Sequence, residues 1–264
     1  MNIGGVEIGY PHPCRFVAEI SNNHNGSLDR AFRLIAAAKS AGADFVKFQC
    51  YTPDELVGLR GDGPAPDPWG AQGWTMRALY EKAATPLDWF PQLFQYARDA
   101  GIVPFSSVFG LESLLVLERC ACPAYKIARL DNRDAALRDA IFSRKKPVLV
   151  SVEARGLIPV PNRDDVATLY CAPGYPTAPA DVSLPYFVEW GGDKMGARMI
   201  GLSSHCLDPL LPVAAVARGC KLIEMHMMLD RPEDHSELEA NVSLPSVFFR
   251  SMIQDVRRVE AMLA

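Results

Sequence analysis

A (β/α)8 TIM barrel is the fold class this sequence predicts, on three observations: eight apolar β-rich strings, helical periodicity between most of them, and polar residues gathered where the strings end. The strings are Phe16 to Ile20, Phe45 to Cys50, Val103 to Ser107, Ala124 to Ala128, Pro147 to Val152, Ala167 to Ala172, Met199 to Ser203 and Leu222 to His226. Alternation of strand and helix is the pattern of βα units on a parallel sheet, and eight such units close.

The intervening segments read as helices. Leu28 to Ala41 puts Ala31, Leu34, Ile35 and Ala38 on one face and stops at Gly42. Asp88 to Ala100 sets Trp89, Leu93 and Tyr96 together and stops at Gly101, and Leu111 to Arg119, Asp131 to Ser143, Pro209 to Arg218 and Pro245 to Leu263 follow the same spacing. One unit is deficient. About 14 residues separate the fifth and sixth strings, and GLIPVPN among them carries two prolines, so the fifth helix is expected to be reduced or missing. Gly58 to Gly73, too broken for a helix and too polar for a strand, is expected to be a lid or binding loop, the alternative being a merely exposed excursion.

The 264 residues are 49% hydrophobic and 22% charged, enough for a large core, and no repeat or low-complexity linker divides them, so residues 1–264 are expected to form a single barrel domain. With 27 basic against 31 acidic residues, interspersed, there is no electrostatic footprint for nucleic acid or a membrane surface. The start lacks the pattern of a signal peptide and no apolar run is long enough to span a bilayer, so a cytoplasmic protein acting on a small substrate is expected. Seven scattered cysteines, mostly inside apolar strings, suit reduced core thiols.

Chemistry in such barrels sits at the C-terminal ends of the strands. There the sequence writes Glu19, Lys47, Gln49, Ser106, Ser107, Lys126, Ser151, Tyr175, Ser203, Ser204, His205, Glu224 and His226. Burying a lone Lys or Glu costs several kcal/mol. Two lysines at one mouth make an anion site for phosphate and carboxylate groups, the alternative being a structural ion-pair network. His205 and His226 end consecutive strings and are expected to ligate one divalent metal; Cys206 reads as an ordinary thiol.

The segment AEISNNHNGSLDRAFRLIAAAKSAGADFVKFQCY resembles the opening of sialic acid synthases. LYEKAATPLDWFPQLFQYARDAGIVPFSS and PAYKIA are similar to the pseudaminic acid synthase branch, and YPTAP, GLSSH, IEMHMMLDR and VRRVEAML fit later landmarks of the same family. The resemblance covers nearly the whole chain. It implies a barrel that condenses phosphoenolpyruvate with a sugar aldehyde, releases phosphate and yields a 2-keto-3-deoxy sugar acid. Carried over, His205 and His226 hold a divalent metal, typically Mn2+ with Mg2+ or Co2+ as alternatives; Lys47 and Lys126 bind phosphoenolpyruvate with Ser107, Ser151 and Ser203 as hydroxyl contacts; Glu19 transfers protons; and Gln49, Tyr175 and Asp234 approach the sugar. A homodimer is implied as well.

The sequence departs from the family in four places. Arg129, Leu130 and Asp131 follow KIA where Ser, an aromatic or Gly, and Glu are usual, so Arg129 is a candidate phosphate ligand. Glu153 falls near the anion site, where like charge would repel, and Ser204 replaces an acid expected to balance the metal. The family's small C-terminal domain has no counterpart before residue 264, so the Gly58 to Gly73 loop, with Trp69 and Trp74, is expected to cover the site and the acceptor to differ from N-acetylmannosamine. Two other readings stay open: a metal-dependent aldolase or lyase acting on another keto acid, and a silent barrel used for binding or assembly.

Overall fold

The computed structural model describes residues 1–153, 160–161, 163–184 and 198–263. The chain opens with an antiparallel hairpin, β1 (Asn2–Ile3) and β2 (Val6–Glu7), whose two-residue arms are too short for periodicity to reveal. It sits at the N-terminal ends of the strands that follow, where Arg15 Nε donates to the Glu7 carbonyl at 3.0 Å and Ile3 and Ile8 enter the main core.

Eight parallel strands come next: β3 (Arg15–Glu19), β4 (Phe45–Cys50), β5 (Val103–Val108), β6 (Tyr125–Ile127), β7 (Val148–Val152), β8 (Val166–Tyr170), β9 (Arg198–Ser204) and β10 (Leu222–Met228). Each pairs with the next, and β10 pairs with both β9 and β3, which closes the barrel. At the closing seam His226 stands level with Glu19. A short parallel strand, β11 (Ser243–Pro245), extends β10 beyond that seam, His226 facing Ser243. Inside the barrel the backbone of β9 comes so close to β8 and β10 that a Cβ on Gly201 would lie 2.3 Å from Leu169 Cδ2 and 2.5 Å from the Leu222 carbonyl. Only glycine fits there.

The outer layer is α1 (Leu28–Ala41), α2 (Pro53–Arg60), α3 (Met76–Ala83), α4 (Phe90–Asp99), α5 (Leu111–Arg119), α6 (Ala135–Phe142), α7 (Leu210–Ala217) and α8 (Ser246–Leu263). The buried face of α1 is Ala31, Leu34, Ile35, Ala38 and Ala41; Ser27 caps its start and Gly42, at φ 97°, its end. The expected loss of the fifth helix falls on the β7–β8 link, most of which, residues 154–159 and 162, lies outside the described residues.

The β4–β5 connection differs from expectation. Gly58 to Arg60, read as the start of a loop, finish α2, and most of the remaining segment closes on itself through Ala65 N to Trp74 O and Met76 N to Gly63 O, both 2.9 Å. The segment is a folded flap. α2 and α3 carry it on a second small core of Tyr51, Leu56, Tyr80 and Phe109. Two polar ties fix this layer to the barrel. Glu55 closes a capping box with Thr52 and also accepts from the backbone N–H groups of Glu112 and Ser113 at the start of α5, while Arg60 grips the buried Asp131 carboxylate at 2.6 and 2.8 Å.

Candidate active site at the barrel mouth

Alternation along parallel strands sends every second side chain into the barrel, and at the C-terminal ends those positions are polar. Glu19 on β3, Lys47 on β4, Lys126 on β6 and Glu224 on β10 form a buried chain of charge. Lys47 Nζ contacts Glu19 Oε2, lies 3.0 Å from Ser107 Oγ and 3.4 Å from Glu224 Oε1; Lys126 Nζ is 2.7 Å from the same Glu224 oxygen. Ser203 donates to that oxygen at 2.9 Å, and the Ser21 N–H donates to Glu19 Oε1 at 2.8 Å. The structural network weighed as an alternative is therefore present, and it holds the very residues expected to bind substrate. Glu224, singled out by its place in the eighth string but given no role, joins the two lysines.

Burial disfavours charge on Glu224, but the flanking Lys126 and Lys47 outweigh it and bring the carboxyl down to about 2. Burial likewise opposes charge on Lys47, and Glu19 and Glu224 overcome it, raising this ammonium. Lys126 must share one carboxylate with Lys47, so burial prevails and its ammonium is lowered.

The second half of the mouth is built on histidine. The rings of His205, just beyond β9, and His226, on β10, have centroids 5.3 Å apart, and the ring of Tyr175 stands edge-on to both at 4.6 and 5.8 Å. Behind them lies Glu239: its Oε2 is 2.7 Å from His226 Nδ1, and its Oε1 accepts from Tyr175 at 2.8 Å and from Ser21 Oγ at 2.9 Å. Burial and the neighbouring His226 lower His205 to about 3, leaving its imidazole neutral. For His226 burial is outweighed by Glu239, and the ring is raised. Burial and the same carboxylate push the Tyr175 phenol up.

These donors fit a divalent metal. One neutral imidazole, a second backed on Nδ1 by a carboxylate, and the two rings side by side are the pattern in which a carboxylate orients a ligating histidine. Among the described residues no group of three His, Cys, Asp or Glu converges as a closed metal site, so the two imidazoles would leave positions for other ligands.

Gln49 lies two residues beyond Lys47 on the same face of β4, level with Ser107, and the Ser151 hydroxyl is buried on β7 without a protein partner. Arg129 and Glu153, beyond the ends of β6 and β7, form an ion pair, so the expected repulsion by Glu153 is cancelled by its neighbour. Two expectations change. Asp234, expected to approach the sugar, turns its carboxylate to α1 instead, 2.6 Å from Arg33 and 3.5 Å from Arg30, whereas Glu239, five residues later, is the carboxylate at His226. The acid that Ser204 replaces is not the only one near the histidines, since Glu239 places a carboxylate at His226; the Ser204 hydroxyl accepts from Cys206 N at 3.0 Å and shapes the turn at His205. Glu239 was missed because five acids lie between residues 230 and 239 and no periodicity marks which turns inward. The usable signal was His226, a buried histidine in need of a carboxylate.

Comparison with known proteins agrees with this geometry. The model of the NeuB family matches residues 34–264. Over 261 residues the chain is 37% identical to a pseudaminic acid synthase of Campylobacter jejuni subsp. jejuni serotype O:23/36 (strain 81-176), an alignment covering 94% of this chain and 74% of the relative. It is 29% identical over 276 residues to the N-acetylneuraminate-9-phosphate synthase of Homo sapiens, covering 98% and 74%. Among solved structures, an N-acetylneuraminic acid synthetase from Leptospira borgpetersenii serovar Hardjo-bovis, in complex with citrate, superposes with a TM-score of 0.82 over all of this chain and 90% of that one; at 22% identity it speaks for the fold. With a closed parallel barrel, charged and imidazole groups gathered at its C-terminal mouth, and homology along nearly its whole length, the chain belongs to the NeuB family.

Proposed function

We propose that this chain condenses phosphoenolpyruvate with a sugar aldehyde to give a nonulosonic, 2-keto-3-deoxy sugar acid with release of phosphate. The observation that carries the reading is the joining, in one mouth, of an ammonium–carboxylate chain with a pair of imidazoles backed by Glu239. Phosphoenolpyruvate brings several negative charges. Of the three donors on the Lys126 ammonium one goes to Glu224, so the others are available to phosphate or carboxylate oxygens, and the buried, unpartnered Ser151 hydroxyl on the neighbouring strand is a further donor for them.

The new bond runs from C3 of the enol to the aldehyde carbon; water adds at C2, and phosphate leaves as the C2 carbonyl forms. A divalent ion, Mn2+ with Mg2+ or Co2+ as alternatives, held by His205 and His226 supplies Lewis acidity toward the aldehyde oxygen. Glu19, held against Lys47 and the Ser21 N–H, takes one proton from the water that adds to C2 and passes it to the former aldehyde oxygen, while the second water proton leaves with the phosphate. Lys47 and Lys126 keep positive charge beside the phosphate as it departs. Gln49, Tyr175 and Glu239 face the acceptor. Residues 1–264 act as one barrel unit in this reading, working in the cytoplasm as a homodimer, to be checked by sedimentation; no described helix is long and apolar enough to cross a membrane.

The test is phosphate release from phosphoenolpyruvate with manganese and a panel of N-acylated sugar aldehydes. Release that requires both an aldehyde and the metal, lost in His205→Ala/His226→Ala while the fold is retained, is the expected outcome. Phosphate release that needs no aldehyde would overturn the condensation, and a borohydride-trapped lysine adduct with pyruvate would replace this reading with an aldolase.

A further inference from the structure

Lys47 and Lys126 are already matched by Glu19 and Glu224, so those four groups offer an arriving phosphate no surplus positive charge. A second pair stands beyond them. Arg129, two residues past the end of β6, is ion-paired with Glu153, the first residue past β7. The Ser151 hydroxyl, two residues before Glu153 on β7, is buried without a protein partner, and β7 pairs with β6, the strand that carries Lys126 and leads to Arg129. Arg129 and Lys126 therefore reach the barrel mouth from one strand, next to the strand of Ser151.

The two pairs differ in how freely they part. The side chains of Arg129 and Glu153 are 26% and 38% exposed, those of Lys126 and Glu224 2% and 6%. Water screens the outer pair and solvates either member on its own, whereas parting the inner pair strands a charge in a dry interior. The outer pair is the one that opens.

We infer that Glu153 competes with the substrate's phosphate for Arg129, and so sets the affinity of this mouth for phosphate monoesters. The inference rests on the phosphoenolpyruvate reading above. A guanidinium presents parallel N–H donors that suit phosphate as well as carboxylate, and a phosphate dianion brings the greater charge. When it arrives, Glu153 turns to solvent and Arg129 joins Lys126 and Ser151 around the anion; one ion pair is exchanged for another and no covalent bond changes. The two partners of a single ion pair thus act on phosphate binding with opposite signs. A merely structural pair does not, since losing either partner breaks it equally.

The experiment is calorimetric titration of the manganese-loaded protein with phosphoenolpyruvate and, separately, with inorganic phosphate, for the unaltered chain, Glu153→Gln, Arg129→Gln and Arg129→Lys. Glu153→Gln is expected to bind about threefold or more tightly, Arg129→Gln about tenfold more weakly, and Arg129→Lys in between. Matching thermal transitions show that all four are folded. Equal weakening in Glu153→Gln and Arg129→Gln, or no change in either, would overturn the competition while leaving the function intact. Failure of the unaltered chain to bind phosphoenolpyruvate would instead overturn the proposed function, and this inference with it.

Discussion

At the scale of single residues, burial decides what each titratable group contributes. His24, in the turn after β3, has its Nε2 2.9 Å from Thr85 Oγ, accepts the Gly26 N–H on Nδ1, and meets the edge of Trp89. Burial brings it down to about 4, with Arg30 adding to the effect and Glu239 opposing it. Between the ordinary histidine value and about 4 the unfolded chain takes up a proton that the folded one refuses, so stability is full above that window and falls as pH drops through it. The unaltered chain should lose about 2 kcal/mol more between pH 7 and pH 5 than His24→Asn does, measured by urea denaturation. Glu239 is a residue of the other kind, acting through its neighbours. On the proposed metal reading Glu239→Gln removes the charge behind His226 and should weaken manganese binding about 10- to 100-fold, read by metal titration, with the fold unchanged.

At the scale of elements, the helices of the β4–β5 connection depend on one carboxylate. Glu55 serves the capping box of α2 and the uncapped start of α5 together, and Gly110 leaves the room it needs: a Cβ there would lie 2.0 Å from Glu55 Oε1. Gly110→Ala should therefore displace Glu55 and cost about 1–2 kcal/mol in chemical denaturation, the size of a lost cap. Gly58, inside α2, has nothing within 4 Å of its Cβ position, and Gly58→Ala should stabilise the protein by about 0.5–1 kcal/mol. Opposite signs for two glycine-to-alanine changes in one layer separate steric from conformational effects. The Thr52-Pro53-Asp54-Glu55 run carries a legible helix start, with N-cap, proline in the first turn and Glu at N3. The helix it begins is short and contains Gly58, so no 3.6-residue stripe extends that signal.

At the scale of the whole molecule, one apolar core links the hairpin, all eight barrel strands and the outer helices, while α2 and α3 rest on their own small cluster. Hydrogen exchange should follow that division: amides of α2 and α3 exchange first, and those of β3, β4 and β10 last, on global unfolding. Uniform protection across both would mean that the Arg60–Asp131 and Glu55 ties weld the layer to the barrel. The sequence by itself determined the barrel, because parallel strands covered on both sides must be written as continuous apolar strings and the helices between them must carry a 3.6-residue stripe. It also marked Glu19, Lys47, Lys126 and Glu224, since charge inside such a string is costly and therefore conspicuous, and His205 and His226 by their places at or just past the ends of neighbouring strings. What it left open were the partners. That Lys47 and Lys126 share Glu224, that Glu239 backs His226, and that Arg129 is neutralised by Glu153 are contacts across strand ends or out of loops. Loop side chains have no period to betray their direction, and ion pairs form between groups far apart in the chain, so only closure of the barrel decides which charges meet.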